Sequence, residues 1–445
     1  MNDLTKGNLK RVFFRYLVPS IGGMLGTSLY VLGDTMIVGR GLGTQGLAAL
    51  NLSIPIINVF TGLGLLCGIG GATALSVDRG KGKKDGLNGI FTKSLMLALI
   101  AGFILTLVRV FFLDGFVSFL GASGNTFSLA KDYLGVLMAF ATPFVLNTTL
   151  MIFVRNDGAP KLAMVSMLVG AVMNILLDYI FIIKFNWQMW GGALATGLAP
   201  VFGLVILSTH FIRKQNRIKI ERPEGDWVKY RRIIHNGIPS FIIELSAGIV
   251  IFAFNLRLLG LAGDLAVSTY SIIANLSLIA TAIFTGVGQG IQPIVSTNYG
   301  ARRMDRALNT IRLATLTSLI LGILFFIAGV IFPEHLIGIF VKDPSELLVI
   351  GVPGIRIYFS AFLFMGINIS LNSYIQSKEK ARISLQLSLL RGLVLIILNL
   401  FILPIFFGIN GVWLTMPLTE ILTFAISNLA FKRIKRAVRH SFGFS

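Results

Sequence analysis

Residues 162–183 read LAMVSMLVGAVMNILLDYIFII, an apolar run interrupted by one charge, Asp178. At about 1.5 Å per residue, roughly 20 helical residues cross the hydrocarbon core of a bilayer, so this run can span it. Asn174 and Asp178 are four apart, and a helix stacks them on one face. An ionised carboxylate at membrane depth costs at least about 2.5–3.5 kcal/mol. A bound cation, a proton or a water-filled cavity would offset that cost. A structural hydrogen bond to a neighbouring helix is the plainer explanation, and the rest of the chain weakens it.

Of the 445 residues, 55% are hydrophobic and 13% charged. Globular domains carry about 25% charge. The mean hydropathy is +0.81. Twelve apolar segments can be marked, at 16–39, 53–77, 90–113, 133–154, 162–184, 190–212, 237–260, 267–297, 309–332, 351–375, 383–407 and 411–431. All are expected to be helices, because an open sheet edge does not survive in hydrocarbon. The expected fold is therefore an all-α membrane protein with twelve transmembrane helices. The run after Lys6, Lys10, Arg11 and Arg15 is too long for a signal peptide and lacks a small-residue cleavage site, so it reads as the first span. The single cysteine, Cys67, excludes an internal disulfide and reads as a packing residue.

The basic residues set the topology. Of the 39 Lys and Arg, 31 fall in the two termini and the even-to-odd connections, and only Arg40, Lys131, Lys184 and Lys342 fall in the others. That asymmetry predicts both termini in the cytoplasm of a cell-membrane protein. It also accounts for the net charge of +20 without a nucleic acid partner.

The chain repeats itself at an offset of 220. Pro19-Ser20 matches Pro239-Ser240, and Gly43 matches Gly263. Thr61, Gly68, Gly70, Ser76, Gly80 and Asp85 match Thr281, Gly288, Gly290, Ser296, Gly300 and Asp305. Six spans per half put both halves in the same orientation. The expected arrangement is two six-helix lobes related by a parallel pseudo-twofold repeat, as in some secondary transporters. Lobe boundaries are expected at 1–212 and 237–445, with a basic linker at 213–236. A short interfacial helix is expected at 226–230. Gly22, Gly26 and Gly33 mark one side of the first span, and Gly64 with Gly68 one side of the second, as close packing requires.

Asp34 lies six residues before Arg40, Asp178 six before Lys184, and Thr196 six after Trp190. All three therefore sit about 9 Å below the outer boundary. With Asn174 a turn deeper, they make an oxygen-rich site at one depth. Hard cations prefer such ligands, and two desolvated carboxyls close together favour sharing a proton. At the equivalent positions the second half has Phe254 and Asn399, so the ion site belongs to the first half alone. Glu244, Arg391 and Glu420 lie nearer mid-membrane and can form a buried ion network. Arg257 and Arg356 are placed to snorkel. Asn147, Glu244, Gln289 and Gln292 are candidate substrate contacts.

The stretches Gly33-Asp34-Thr35-Met36-Ile37-Val38-Gly39, Arg155-Asn156-Asp157-Gly158-Ala159-Pro160, Asn174-Ile175-Leu176-Leu177-Asp178-Tyr179 and Gly288-Gln289-Gly290-Ile291-Gln292-Pro293 carry a resemblance. The chain resembles the multidrug and toxic compound extrusion (MATE) family, nearest its bacterial MepA-like branch, over nearly its whole length. The resemblance implies a two-lobed antiporter that exports cationic, amphipathic drugs against Na⁺ or H⁺ by alternating access. It implies an ion site at Asp34, Asn174, Asp178 and Thr196. It implies no cofactor beyond the coupling ion, and small-molecule drugs and the bilayer as partners; a monomer is expected. Some relatives also use acids in the seventh and tenth spans. Residues 351–375 hold no acid, and Glu244 lies about a turn nearer the start of its helix, so the resemblance carries no second ion site over.

Two rivals have different signatures. A flippase for lipid-linked anionic saccharides has a similar fold but would want a basic central cavity, which Arg257, Arg356 and Arg391 favour and the two aspartates oppose. A membrane enzyme would need a nucleophile–base pair or a metal motif. His210, His235, His335 and His440 lie at span ends or in loops, where no buried His-metal site is expected.

Overall fold

The computed structural model describes residues 4–83, 85–122, 124–222, 227–341 and 345–442. Helices fill nearly all of it, and no strand occurs among the described residues. The first half holds α1 (Leu9–Gly80), α2 (Leu87–Phe119), α3 (Asn125–Ala139), α4 (Ala141–Asn156), α5 (Pro160–Asp178) and α6 (Gln188–Ile212). The second holds α7 (Trp227–Gly300), α8 (Met304–Ile331), the short α9 (Pro333–Gly338), α10 (Ser345–Tyr358), α11 (Phe362–Ser377), α12 (Ala381–Leu389), α13 (Leu395–Phe407) and α14 (Ile409–Phe442).

Ten helices among the described residues are long and apolar enough to cross a membrane, or eleven if the pair Thr126–Ala139 and Ala141–Asn156, bent by 52°, is one span. One of the ten is α1, whose 72 residues far exceed a single crossing. It leaves helical geometry at Gly43 (φ 65, ψ −155). Counted as two, it brings the total to twelve.

The same break recurs in α7 at Gly263 (φ 66, ψ −158), 220 residues on. Only glycine adopts this backbone region without strain. The repeat thus reaches the level of torsion angles. It also corrects the sequence reading: the connections expected after the first and seventh spans are helical up to a short break, at Gly43 in α1 and at Ala262–Gly263 in α7. The expected interfacial helix at 226–230 is corrected too. Asp226 lies outside the described residues, and Trp227–Tyr230 form the opening turn of α7 itself. The fourth span starts earlier than expected and breaks at Phe140. The tenth, α10 to α11, passes through a 3₁₀ turn at Phe359–Ala361.

Glycines decide how the halves meet. A Cβ on Gly80 would collide with the carbonyl oxygen of Thr297, and one on Gly300 with that of Val77. Each contact is the other moved by 220 residues, as a pseudo-twofold axis requires. A Cβ on Gly70 would strike Ile233 O, and Gly290 faces Leu17. Backbone therefore meets backbone between the halves at the end carrying the basic loops. Away from the seam the surface is apolar: Phe103, Phe111 and Phe112 on α2 and Ile405 and Phe406 on α13 are exposed, as lipid contact requires.

Candidate cation site

The glycine side of the first span receives α5. A Cβ on Gly22, Gly23, Gly26 or Gly33 would meet Met164, Met167, Leu168 or Ile175 respectively. This zipper brings Asp34 on α1 against Asp178 at the end of α5. Asp178 is the last α-helical residue before a π-helical stretch, Tyr179–Lys184. Such wider turns leave backbone groups unpaired and recur at functional sites. Aromatic rings of Phe181, Phe185, Trp187 and Trp190 cluster just beyond it, in the place of an interfacial aromatic belt.

All four sequence-selected residues come together and are buried. Asp34 is 7% exposed, Thr196 4%, and Asn174 and Asp178 0%. Asn174 Nδ2 donates to Thr196 Oγ1 at 3.3 Å. The two carboxyls lie within side-chain hydrogen-bonding range of each other. Two ionised carboxylates have no donor to share, and no protein donor reaches Asp34 Oδ1, Asn174 Oδ1 or either Asp178 oxygen. Each orphaned buried acceptor costs about 1–3 kcal/mol, and a charged one more. Four such oxygens on three neighbouring side chains form a site that a proton or a hard cation would complete. Asp34, Asn174, Asp178 and Thr196 would supply the ligands for Na⁺, and the acid pair alone suffices for a proton. Among the described residues no group of three or more His, Cys, Asp or Glu could hold a metal ion; this site has two acids, and its neutral oxygens come from Asn174 and Thr196.

Two tyrosines missed by sequence reasoning complete the site. Tyr133 on α3 is fully buried, its hydroxyl 3.3 Å from Thr196 Oγ1. Tyr30, one turn before Asp34, lies within range of both acidic charges. The available signal was a tyrosine inside an apolar run, whose hydroxyl needs a partner when buried. In the second half, Phe254 stacks on Tyr270 at 4.7 Å and Asn399 donates to Thr419 Oγ1 at 3.0 Å. An apolar stack and a satisfied amide stand where the first half has acids.

The four candidate substrate contacts fall in different settings. Arg155 Nη1 donates to Gln289 Oε1 at 2.7 Å. Asn156 Nδ2 donates to Gln292 Oε1 at 2.8 Å, and Gln292 Nε2 to Thr73 Oγ1 at 3.1 Å. Both glutamines therefore tie the halves together at the basic end. Asn147 sits between α4 and α6, against Gly203, with Oδ1 unpaired. Glu244 faces Gly62 across the interface between the halves. The expected network of Glu244, Arg391 and Glu420 is reduced to two of its members. Arg391 Nη2 pairs with Glu420 Oε1 at 2.8 Å, Asn368 donates to Glu420 Oε2 at 2.7 Å, and Glu244 lies apart.

A second cross-half cluster reinforces the basic end. Arg232 donates to both oxygens of Asp78, at 2.9 and 3.0 Å, and to both of Glu379, at 2.7 and 3.0 Å. Asn236 joins it on Glu379 at 2.8 Å. One guanidinium thus clamps α1 of the first half to the α11–α12 loop of the second.

Comparison with known proteins agrees with the fold and its repeat. The MatE family model matches residues 19–180 and again 239–401; the two matches begin one repeat offset apart. The multidrug export protein MepA of Staphylococcus saprophyticus is 28% identical over 423 residues, covering 93% of this chain and 92% of that protein. The protein of the same name from Staphylococcus aureus is 26% identical over 421 residues, with the same coverage. Among solved structures, an outward-facing multidrug resistance MATE transporter of the MOP superfamily superposes with a TM-score of 0.92, at 23% identity and 98% coverage of both chains. A MOP superfamily transporter from Pyrococcus furiosus gives 0.91 at the same identity and coverage.

Proposed function

The chain belongs to the MatE family, a family of membrane transporters rather than enzymes, and we propose that it is a cation-coupled multidrug efflux antiporter. The observation that carries the proposal is the buried acid pair with Asn174 beside it, together presenting four acceptor oxygens that no protein donor reaches. The MepA relatives, named as multidrug export proteins, support the export of diverse small molecules. Cationic amphipathic compounds suit an acidic site in an apolar, Phe-rich surround.

In this reading the lobes are 1–212 and 237–445, joined by the linker at 213–236. The membrane is the cell membrane, with both termini and the basic loops in the cytoplasm, and one chain suffices for transport. Backbone contact at Gly80 and Gly300 and the Arg232 clamp close the cytoplasmic end, so the state described is the outward-facing one. A cation entering from outside binds Asp34, Asn174, Asp178 and Thr196, and favours drug release. Coupling follows if ion and drug bind the two states with different affinity.

Both coupling ions fit the ligand set. We favour the proton, because two facing carboxyls need only one proton to satisfy each other, and no third acid of the first half lies at that depth. The flippase reading is less well supported: Arg391 is already paired with Glu420, and Arg257 lies over the Phe401 ring. The test is efflux by cells expressing Asp178→Asn at wild-type level. Loss of resistance is expected, and full resistance would defeat the proposal.

A further inference from the structure

Arg155 lies in the last turn of α4, on the seam between the halves, and is 2% exposed. Its one side-chain hydrogen bond runs from Nη1 to Gln289 Oε1 at 2.7 Å. Among the described residues no carboxylate pairs with it or lies close enough to act on its charge. The nearest acid in sequence, Asp157, is taken by Arg79 and His210, at 2.9 and 3.1 Å. A buried ion without a counter-charge costs several kcal/mol. This guanidinium is therefore the unbalanced charge of the seam.

A guanidinium has five N–H donors, of which the Gln289 bond uses one. Because a guanidinium only donates, Gln289 must turn its oxygen to Arg155, and its amide nitrogen is left as a further donor. Both side chains line a cavity of about 30 Å³, with Ile69 of the first half and Gln292, Ser373 and Gln376 of the second. Gln292 is held by Asn156 and Thr73, and Gln376 by Ser240 and the Asn236 carbonyl, so both are fixed walls. A Cβ on Gly288 would collide with Ser373 Oγ, so that glycine admits the hydroxyl to the seam. The lining holds one positive charge and no carboxylate. It has room for about one species of the size of water, too little for sulfate or phosphate. A water would satisfy N–H groups and leave the charge unbalanced, whereas a monatomic anion does both.

We propose that this cavity is a halide site, in which chloride is held by the Arg155 guanidinium with the Gln289 amide and the Ser373 hydroxyl as neutral donors. The charge comes from the first half and both neutral donors from the second. The anion is therefore bound only while this end is closed, and it stabilises that state.

The full-length protein in nanodiscs of zwitterionic lipid provides the test, with thermal unfolding as the readout. Sodium gluconate, whose anion is too large for the cavity, is replaced stepwise by sodium chloride at constant Na⁺ and constant ionic strength. A saturable rise in Tm of a few degrees is expected, reproduced by bromide and lost in Arg155→Gln. Ser373→Ala keeps the charge and removes one neutral donor, so it should weaken the apparent chloride affinity by about threefold to tenfold. It also covers the case in which Arg155→Gln does not fold. A flat response in wild type, or one that no folded variant diminishes, overturns the proposal and leaves this space to water. The Na⁺ level is fixed and the readout does not depend on transport, so failure here would leave the efflux reading untouched.

Discussion

Asp178 concentrates the chemistry into one side chain: fully buried, with both oxygens lacking a protein donor. Asp178→Asn keeps the shape and removes the charge. It should lower cation-driven drug export at least tenfold in cells while leaving expression and thermal stability near wild type. Thr196→Val separates the ions. It removes a cation ligand and the hydroxyl that Asn174 and Tyr133 reach, but leaves both acids. With protons as the driving ion, Thr196→Val should retain most proton-driven efflux while Asp34→Asn loses it. Rescue of Thr196→Val by external Na⁺ would establish a sodium site instead. These residues were legible because one-dimensional rules placed them: i, i+4 spacing joined Asn174 to Asp178, and equal distance from the boundary joined Asp34 and Thr196. Tyr133 was not, because only the packing of α3 against α6 puts its hydroxyl on Thr196.

Lys378 offers a residue-scale test outside the membrane core. It is 3% exposed, with its ammonium 5.3 and 5.0 Å from the Tyr299 and Tyr374 ring centroids. Burial, and then Lys380, push its pKa down from 10.5 to about 8. The unfolded chain therefore holds more protons between these values, and stability from this group rises with pH across that window. Below pH 8 the lysine is charged in both states and its burial costs most, up to about 3 kcal/mol. Lys378→Met should raise Tm at pH 7, and the gain should shrink toward pH 10. An equal gain at both pH values would show that lost packing rather than charge sets the effect.

At the scale of elements, the long broken helices are the main departure from the sequence reading. A hydropathy window sees a polar dip near Gly43 and reads a loop, whereas the chain keeps its helical hydrogen bonds on both sides of one glycine torsion. The π-helical turn after Asp178 was equally hidden, since nothing in its composition separates it from an α-helix. The 220-residue repeat was legible because it preserves glycines, and the structure shows what they do. Gly80→Ala and Gly300→Ala should each push a helix off the facing carbonyl, at a cost of about 1–3 kcal/mol. Gly115→Ala is the control, since nothing lies within 4 Å of its Cβ position. Lower Tm for the first two, with faster thiol labelling of a cysteine introduced at the basic end, is expected. Labelling unchanged from wild type would mean that this seam does not close the cytoplasmic face.

For the whole molecule, the count of twelve spans and the parallel repeat were readable from hydropathy and register. The way in which the halves touch was not, because it depends on polar side chains whose partners lie far away in sequence. Gln289 and Gln292, read as cavity residues, bond to Arg155, Asn156 and Thr73 of the other half. The working account is a molecule closed at its basic end and driven by a cation bound in one lobe. Reconstituted transport tests it most directly: purified protein in proteoliposomes loaded with a cationic dye, under separately imposed H⁺ and Na⁺ gradients, with wild type and Asp34→Asn compared. The account predicts that one of the gradients drives dye movement in wild type and that neither does so in Asp34→Asn. Dye movement at the same rate with no gradient, or gradient-driven movement undiminished in Asp34→Asn, would contradict it.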